Sequence, residues 1–366
     1  MATTINADTS DGLKLTADAS GEIELQSAGV TQAKVTSSGL QNASGVAITA
    51  QSGRNLIING NMMIDQRNAG VSVTITSNGQ YTIDRFQGQM SQASKYSVQQ
   101  VTDAPAKFYN SLKVTSASAY TVLATDFFAI EQRVEGYNAA RLNWGTSDAQ
   151  TVTLSFWVKS SLTGTFTASL KNGTSARSFP FTYTISVANT WEYKTVTIAG
   201  DTSGTWDKTN GNSIRVNFPL GTGTNYTSGT DSGSSGAWQA GNYSGVNGAV
   251  KVVSTSGATF NITGVQLEAG TTATDFENLQ YTTQLQLCQR YYETGLAWGG
   301  SRYSDNFAIM QAAFKVTKRA NPTMTYTGVS GGTPAANGVT IDSSTFYIPT
   351  TISSVGSATW VASSEL

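Results

Sequence analysis

The chain has no histidine, and its 366 residues include a single cysteine. Histidine is the side chain that titrates most readily near neutral pH, and it supplies the base of Ser-His-Asp and Cys-His sites and the ligands of HExxH zinc sites. Its absence excludes these three kinds of catalytic site. One cysteine also cannot form a disulfide within the chain.

Charged residues are scarce as well. Lys and Arg total 22 against 23 Asp and Glu, and charged residues make up 12% of the chain, about half of the usual share. A nearly neutral chain predicts no nucleic-acid partner and favours uncharged ones. No apolar run reaches the roughly 18 residues that span a bilayer, and the first residues lack a secretion signal, so we expect a soluble chain without membrane insertion.

Hydroxyl side chains and glycine are abundant: Ser and Thr supply about a quarter of the chain, and there are 36 Gly. Residues 1–50 contain no aromatic residue and show short alternating apolar runs, at Leu13 and Leu15, at Ile23 and Leu25, and then at Val35. These patterns predict thin strands that cannot bury a core alone. The segment is interpreted as a stalk intertwined with identical copies, with a flexible linker as the alternative.

From residue 51 onward, segments rich in Val, Ile, Thr and aromatic residues alternate with turns every 8 to 15 positions. This pattern predicts an all-β sandwich or jelly roll. In VTLSFWVKS (152–160), alternation predicts that Val152, Leu154, Phe156 and Val158 face the core and that Trp157 faces the opposite side.

One helix is predicted, over 282–295. Thr283 and Gln286 have the spacing of a capping box, Gly295 suits the end of the helix, and Cys288 is interpreted as a buried small apolar residue. Beyond it, short strands and Gly- and Pro-rich turns predict a small C-terminal β domain over 295–366, which leaves 51–294 as the central domain.

Several segments resemble phage fibre proteins, of the marine and cyanobacterial kind, that carry a jelly-roll, carbohydrate-binding-module-like domain. The segments are NLIINGNMMIDQRNAG (55–70), YTIDRF (81–86), FFAIEQRVEG (127–136), VTLSFWVKS (152–160) and ITGVQLEAGTTATDFENLQYTTQLQLCQRYYE (262–293). The resemblance implies a homotrimer on the surface of the virion, made in the host cytoplasm. It also implies that residues 1–50 attach to other tail or capsid proteins and that the remainder contacts a host-surface glycan.

Glycan binding requires aromatic faces for stacking, with amides and hydroxyls as hydrogen-bonding groups. The loop at 221–248 offers Tyr226, Trp238 and Tyr243, and Trp298 and Tyr303 form a second candidate patch. The alternative for both sets is that the rings pack a long loop or a domain junction onto the sandwich.

Catalysis is not expected. Glu131 and Glu135 would lie on one side of a strand about 13 Å apart, beyond the roughly 5 to 9.5 Å of a glycosidase pair. The main prediction is an adhesive virion fibre; a capsid-decorating protein of mainly structural role and a glycan depolymerase are the alternatives.

No cofactor and no metal site are predicted. The acidic side chains of the family-like segments, Asp65, Asp84 and Glu268, are interpreted as hydrogen-bonding groups of turns and strands. Arg67 and Arg85 are the predicted partners of the two aspartates.

Overall fold

The computed structural model describes residues 23–27, 30–36, 39–42, 53–233, 236–299, 301–304, 307–330, 342–350 and 356–366. Contacts divide the chain into two compact units, Met1–Arg54 and Asn55–Leu366. The predicted strand at Leu13 and Leu15 lies outside the described residues.

The first unit contains a three-stranded antiparallel sheet of β1 (Ile23–Ser27), β2 (Val30–Thr36) and β3 (Gly39–Asn42). The predicted strands at Ile23 to Leu25 and at Val35 are therefore present. Strand register aligns Ile23 with Val35 and Val35 with Leu40, while Leu25 aligns with Ala33. Because paired residues share a face and strands alternate, these apolar side chains lie together on one face of the sheet.

The second unit is built almost entirely of strands and has two short helices in its described part, α1 (Gly136–Ala139) and α2 (Tyr281–Gln289). Neither helix has the length or the apolar character needed to cross a membrane. The strands are β4 (Val73–Thr74), β5 (Gln80–Tyr81), β6 (Phe86–Met90), β7 (Tyr96–Val101), β8 (Ser111–Ser116), β9 (Phe127–Glu135), β10 (Val152–Ser160), β11 (Gly164–Asn172), β12 (Arg177–Ile185), β13 (Glu192–Ile198), β14 (Asn212–Thr222), β15 (Thr227–Ser228), β16 (Gln239–Ala240), β17 (Gly245–Val246), β18 (Thr259–Ala269), β19 (Tyr292–Gly299), β20 (Ser301–Ser304), β21 (Phe307–Ala313), β22 (Thr323–Ser330), β23 (Thr345–Thr350) and β24 (Gly356–Ser363).

Two large antiparallel sheets form a sandwich. Six strands pair in the order β13-β10-β18-β8-β7-β4, and seven pair in the order β16-β12-β11-β14-β9-β6-β5. Between β8 and β14 the chain passes repeatedly from one sheet to the other, so strands distant in sequence become neighbours. The predicted all-β sandwich is confirmed.

Strand β10 shows how the pattern produces the core. Val152, Leu154, Phe156 and Val158 are all at most 1% exposed, while Trp157 lies half-buried on the other face. The inner faces of both sheets supply one continuous apolar core in this way. The predicted orientation of β10 is confirmed.

The predicted helix is present and begins within one residue of the predicted start, but its capping box and its predicted end at Gly295 are wrong. Helix α2 begins at Tyr281, its N-cap Gln280 makes no side-chain cap bond, and strand β19 starts at Tyr292, so Gly295 lies in a strand. The helix stops because Tyr291 is drawn into the sandwich, where its hydroxyl donates to the Glu135 carboxylate at 2.5 Å. Cys288 is fully buried, as predicted, and burial raises the pKa of its thiol.

The C-terminal strands form two smaller sheets, β19-β24-β22 and β20-β21-β23. Their separate apolar cluster includes Phe314, Phe346 and Trp360. Strand β19 runs across the predicted domain boundary at 294/295.

Candidate functional site

A row of polar side chains crosses the outer face of the seven-stranded sheet. The register pairs Gln87 of β6 with Glu131 of β9, Glu131 with Asn217 of β14, and Asn217 with Ser169 of β11. Since side chains alternate along each strand, the neighbouring residues point inward, as Phe128 and Ile130 do in the core. The sheet therefore presents a polar surface above an apolar interior.

A cavity of about 270 Å³ opens over this row. One wall is aromatic: the rings of Phe127 and Tyr226 meet edge to face, with centroids 5.3 Å apart. We call this cavity the Glu131 groove; its lining residues are Asn78, Gln89, Phe127, Phe128, Ala129, Glu131, Lys171, Arg215, Asn217, Thr222, Tyr226, Asn242 and Ser244.

Glu131 is fully buried at the floor of the groove. Arg215 Nε donates to one carboxylate oxygen at 2.9 Å, and Arg133 Nε donates to the other at 3.0 Å. Burial alone would raise the pKa of this carboxyl, but Arg215, Lys171 and Arg133 together hold it below its usual value. Glu131 is therefore a fixed anion that positions the cations around it.

Lys171 is the other buried ionisable group of the groove. Its ammonium donates to Asn242 Oδ1 at 3.2 Å and to Ser244 Oγ at 3.1 Å, which are both uncharged acceptors. Burial lowers its pKa to about 8, against the opposing attraction of Glu131. Lys171 and Arg215 give the lining two cations against the one carboxylate of Glu131.

Two buried oxygen atoms of the lining make no hydrogen bond within the described part of the chain, Asn217 Oδ1 and Thr222 Oγ1. Asn217 is 2% exposed, and its amide nitrogen already donates to Glu131 at 3.1 Å. Burying an oxygen without a partner costs free energy, on the order of 1 to 3 kcal/mol. A ligand with hydroxyl donors would relieve that cost.

The predicted 221–248 loop contributes to this groove in part. Tyr226 lies half-buried in a 3₁₀ turn (Thr224–Tyr226) and forms the aromatic wall with Phe127. Tyr243 is half-buried outside the lining, while its neighbours Asn242 and Ser244 belong to it.

Trp238 instead packs against the sandwich. Its ring lies 5.2 Å from Trp206, 5.3 Å from Trp144 and 5.5 Å from Phe179, between centroids. Its indole N–H donates to the carbonyl of Ala199 at 2.8 Å. This geometry fits the packing alternative for the tryptophan.

The second predicted patch lies in the C-terminal sheets. Trp298 is on β19 with 67% of its surface exposed, so it does not pack a domain junction within the described part of the chain. Tyr303 belongs to β20, and its side chain falls outside the described part of the structure.

The predicted partners of the two aspartates are largely wrong. Asp65 accepts backbone N–H bonds within its own turn, and Asp84 accepts bonds from Gln66, with Arg67 3.8 Å away. Arg85 pairs with Glu365. Burial raises the pKa of Asp84 to about 7.

Glu268 accepts hydrogen bonds from Gln266 and Thr274, as the sequence predicts for a strand residue. Among the described residues, no three acidic or cysteine side chains come close enough to hold a metal ion.

Sequence analysis did not identify Lys171, Arg215 or Asn217 as site residues. They lie on β11 and β14, whose alternation places them on the outer face, but only the sheet order brings them beside Glu131. Charged residues at outward positions of otherwise apolar strands are the signal that could have found them.

No protein-family model matches the chain, and no curated protein matches it either. Solved structures do. A tailspike enzymatically active domain from bacteriophage CBA120 is 14% identical over 59% of this chain and 22% of its own, with a TM-score of 0.33. A Bacteroides thetaiotaomicron protein proposed to bind sugars is 14% identical over 59% of this chain and all of its own (TM-score 0.34).

A family 11 carbohydrate-binding module from Clostridium thermocellum is 12% identical over 54% of this chain and 95% of its own (TM-score 0.27). Likenesses this distant carry no argument about function.

Proposed function

We propose that this chain is a structural fibre protein of a bacteriophage particle and that the Glu131 groove binds a host-surface glycan with an acidic sugar unit. The phage role extends the sequence resemblance, and the virion surface is its proposed location. The observation that carries glycan binding is the pair of buried, unpartnered oxygens of Asn217 and Thr222 beside an aromatic wall.

The chemistry of the groove suits a sugar. Hydroxyl groups of a glycan can donate to Asn217 Oδ1 and Thr222 Oγ1, and Tyr226 with Phe127 offers an apolar surface to its C–H face. The whole chain is nearly neutral, but the lining has a surplus of positive charge. That surplus favours a carboxylate- or sulfate-bearing sugar over the uncharged partner that composition alone predicts.

We propose binding without cleavage. A glycosidase acid needs a raised pKa so that it can carry a proton at working pH, whereas the surrounding cations lower the pKa of Glu131. Its carboxylate also already accepts bonds from both arginines and from Asn217. We therefore propose that Glu131 holds the side chains of the groove in place and does not transfer a proton.

The three-stranded sheet of the first unit supports a proposed homotrimer. Its apolar face leaves Leu25 46%, Val35 39% and Leu40 39% exposed in the single chain. The opposite face is polar, with Lys34 and Glu24 paired at 2.9 Å. Copies of the chain that bring their apolar faces together would bury these side chains.

The test is a glycan array followed by calorimetric titration of the full chain with the acidic oligosaccharides that bind. Asn217→Ala and Tyr226→Ala should each weaken binding at least tenfold, because each removes a direct contact, while the melting temperature stays within a few degrees. Asn138→Ala is the matched control, since it truncates an exposed amide outside the groove.

A wild-type chain that captures no acidic glycan would refute the proposed ligand. Full affinity in both groove variants would refute the proposed contacts. Shortening of the bound oligosaccharide during incubation would favour the depolymerase alternative.

A further inference from the structure

A second groove lies on the outer face of the six-stranded sheet, opposite in the sandwich to the face that bears the Glu131 groove. It has a volume of about 430 Å³, within the usual range for small-ligand sites. We call it the Trp157 groove; the lining groups used below are Phe108, Ser155, Trp157, Tyr193, Phe276 and Asn278.

Strand register places the aromatic rings of this groove. Trp157 of β10 pairs directly with Tyr193 of β13, and their ring centroids lie 5.3 Å apart with a tilt of 44°. Phe108 and Phe276 come from two loops and meet edge to face at 5.2 Å. Outward positions of a sheet are ordinarily polar, so four rings around one cavity indicate a function beyond folding.

The backbone of β18 makes room for these rings. The register between β10 and β18 shifts beside Trp157, and Gly264 at the shift has φ +60°. A Cβ atom at Gly264 would lie 2.7 Å from the Phe108 ring and 3.1 Å from the Trp157 ring. Only glycine leaves this space, so the irregular strand shapes the groove.

The polar groups of the groove point to an uncharged ligand. Among the described residues, Lys107 and Asp275 are the only charged ones that line it, and they have opposite signs. Ser155 and Asn278 add a hydroxyl and an amide. Apolar rings beside a few neutral hydrogen-bonding groups match a pyranose, which has an apolar C–H face and a rim of hydroxyls.

A neighbouring cavity of about 200 Å³ shares Lys107, Phe108 and Asn278 with the groove. Two exposed rings line this neighbouring cavity, Tyr109 with 67% and Tyr281 with 58% of its surface exposed. Aromatic rings that line two adjoining cavities fit a chain of sugar units.

We propose that the Trp157 groove is a second carbohydrate site, which takes a neutral oligosaccharide along the surface from Tyr193 and Trp157 to Tyr109 and Tyr281. It differs from the Glu131 groove in its elements and in its balanced charge. The proposal does not depend on the function assigned to the Glu131 groove.

The experiment titrates the full chain with neutral hexasaccharides of β-1,4-glucan, β-1,3-glucan and mannan. Trp157→Ala should weaken binding of the preferred hexasaccharide at least tenfold. Tyr193→Ala should also weaken it, and since that ring is 44% exposed its removal leaves the core intact. Tyr137→Ala, which removes a ring that is 63% exposed in helix α1, is the matched control and should bind like wild type.

Asn217→Ala should leave binding of the neutral hexasaccharide unchanged, which separates this site from the Glu131 groove. The proposal is overturned if no neutral hexasaccharide binds saturably or if both aromatic variants bind like wild type. It is overturned equally if Tyr193→Ala sediments as a smaller species than wild type, because the surface would then be an interface between copies of the chain.

Discussion

Lys171 makes the Glu131 groove sensitive to pH. With a folded pKa of about 8, its ammonium is charged at pH 7 and loses its proton as the pH rises through 8. We therefore expect the affinity for an acidic glycan to be level between pH 6 and 7 and to fall several-fold by pH 9. Calorimetric titration at each pH measures this change.

Over the pH range in which the affinity falls, the titration of Lys171 should raise the free energy of unfolding. The folded pKa lies below the usual 10.5, so between pH 8 and 10.5 the unfolded chain holds a proton that the folded chain has lost, and this group then adds stability as pH rises. Loss of binding above pH 8 therefore cannot result from unfolding caused by the deprotonation of Lys171. Lys171→Met should bind weakly at every pH; an unchanged pH profile in that variant would contradict the assignment.

Among strands and helices, alternation predicted more than capping signals did. In β10 the identities of Val152, Phe156 and Trp157 determine which face is buried, because a half-buried strand has a fixed period of two. The end of α2 depends on Tyr291, whose partners lie far away in sequence: Glu135 at the end of β9 and Arg85 in the turn before β6. A pattern within 282–295 contains no information about those partners.

The sheet β1-β2-β3 carries an exposed apolar face that can be tested as an interface between copies of the chain. If its apolar face joins copies of the chain, replacing Leu25 and Val35 together with Asp places charges in that interface and should convert a trimer into monomers. Sedimentation of the full chain measures this. The second unit should keep its melting temperature, since it has its own core.

Gln41→Asp is the control for this variant, because Gln41 pairs with Lys34 and so lies on the polar face. It should sediment like wild type. A wild-type chain that sediments as a monomer would contradict the proposed assembly.

The segments at 55–70, 81–86 and 262–293 form a structural junction in the folded chain. The Glu365 carboxylate forms an ion pair with Arg67 at 2.7 Å and a second one with Arg85. The Arg85 guanidinium also lies 3.6 Å from the centroid of the Tyr291 ring. Arg67 lies at the same distance over the Tyr292 ring. The segments at 55–70, 81–86 and 262–293 thus meet around the side-chain carboxylate of Glu365.

The junction could not be predicted from the sequence, because its parts come together only in the folded chain. Each segment can be recognised in the sequence, but their shared partner Glu365 lies some 70 residues beyond the last of them. Only folding brings the segments and Glu365 into contact. The same holds for both grooves. The sequence identifies Tyr226 as a loop aromatic and Trp157 as an outward-facing one. It does not predict that Lys171 and Tyr193 lie in the grooves, because only the strand order places them there.

Glu365→Ala tests whether the junction holds the C-terminal sheets to the sandwich. Arg85 is 1% exposed, and removal of its partner would leave a buried guanidinium uncompensated, which costs about 3 to 5 kcal/mol. We expect a lower melting temperature and faster proteolysis within 295–366, while the sandwich and its glycan affinity persist. Glu365→Gln should lower the melting temperature less than Glu365→Ala does, because its amide oxygen still accepts a hydrogen bond. Equal stability of the Ala variant and wild type would show that the C-terminal sheets are held mainly by other contacts, such as the Glu135 bonds to Arg290 and Tyr291.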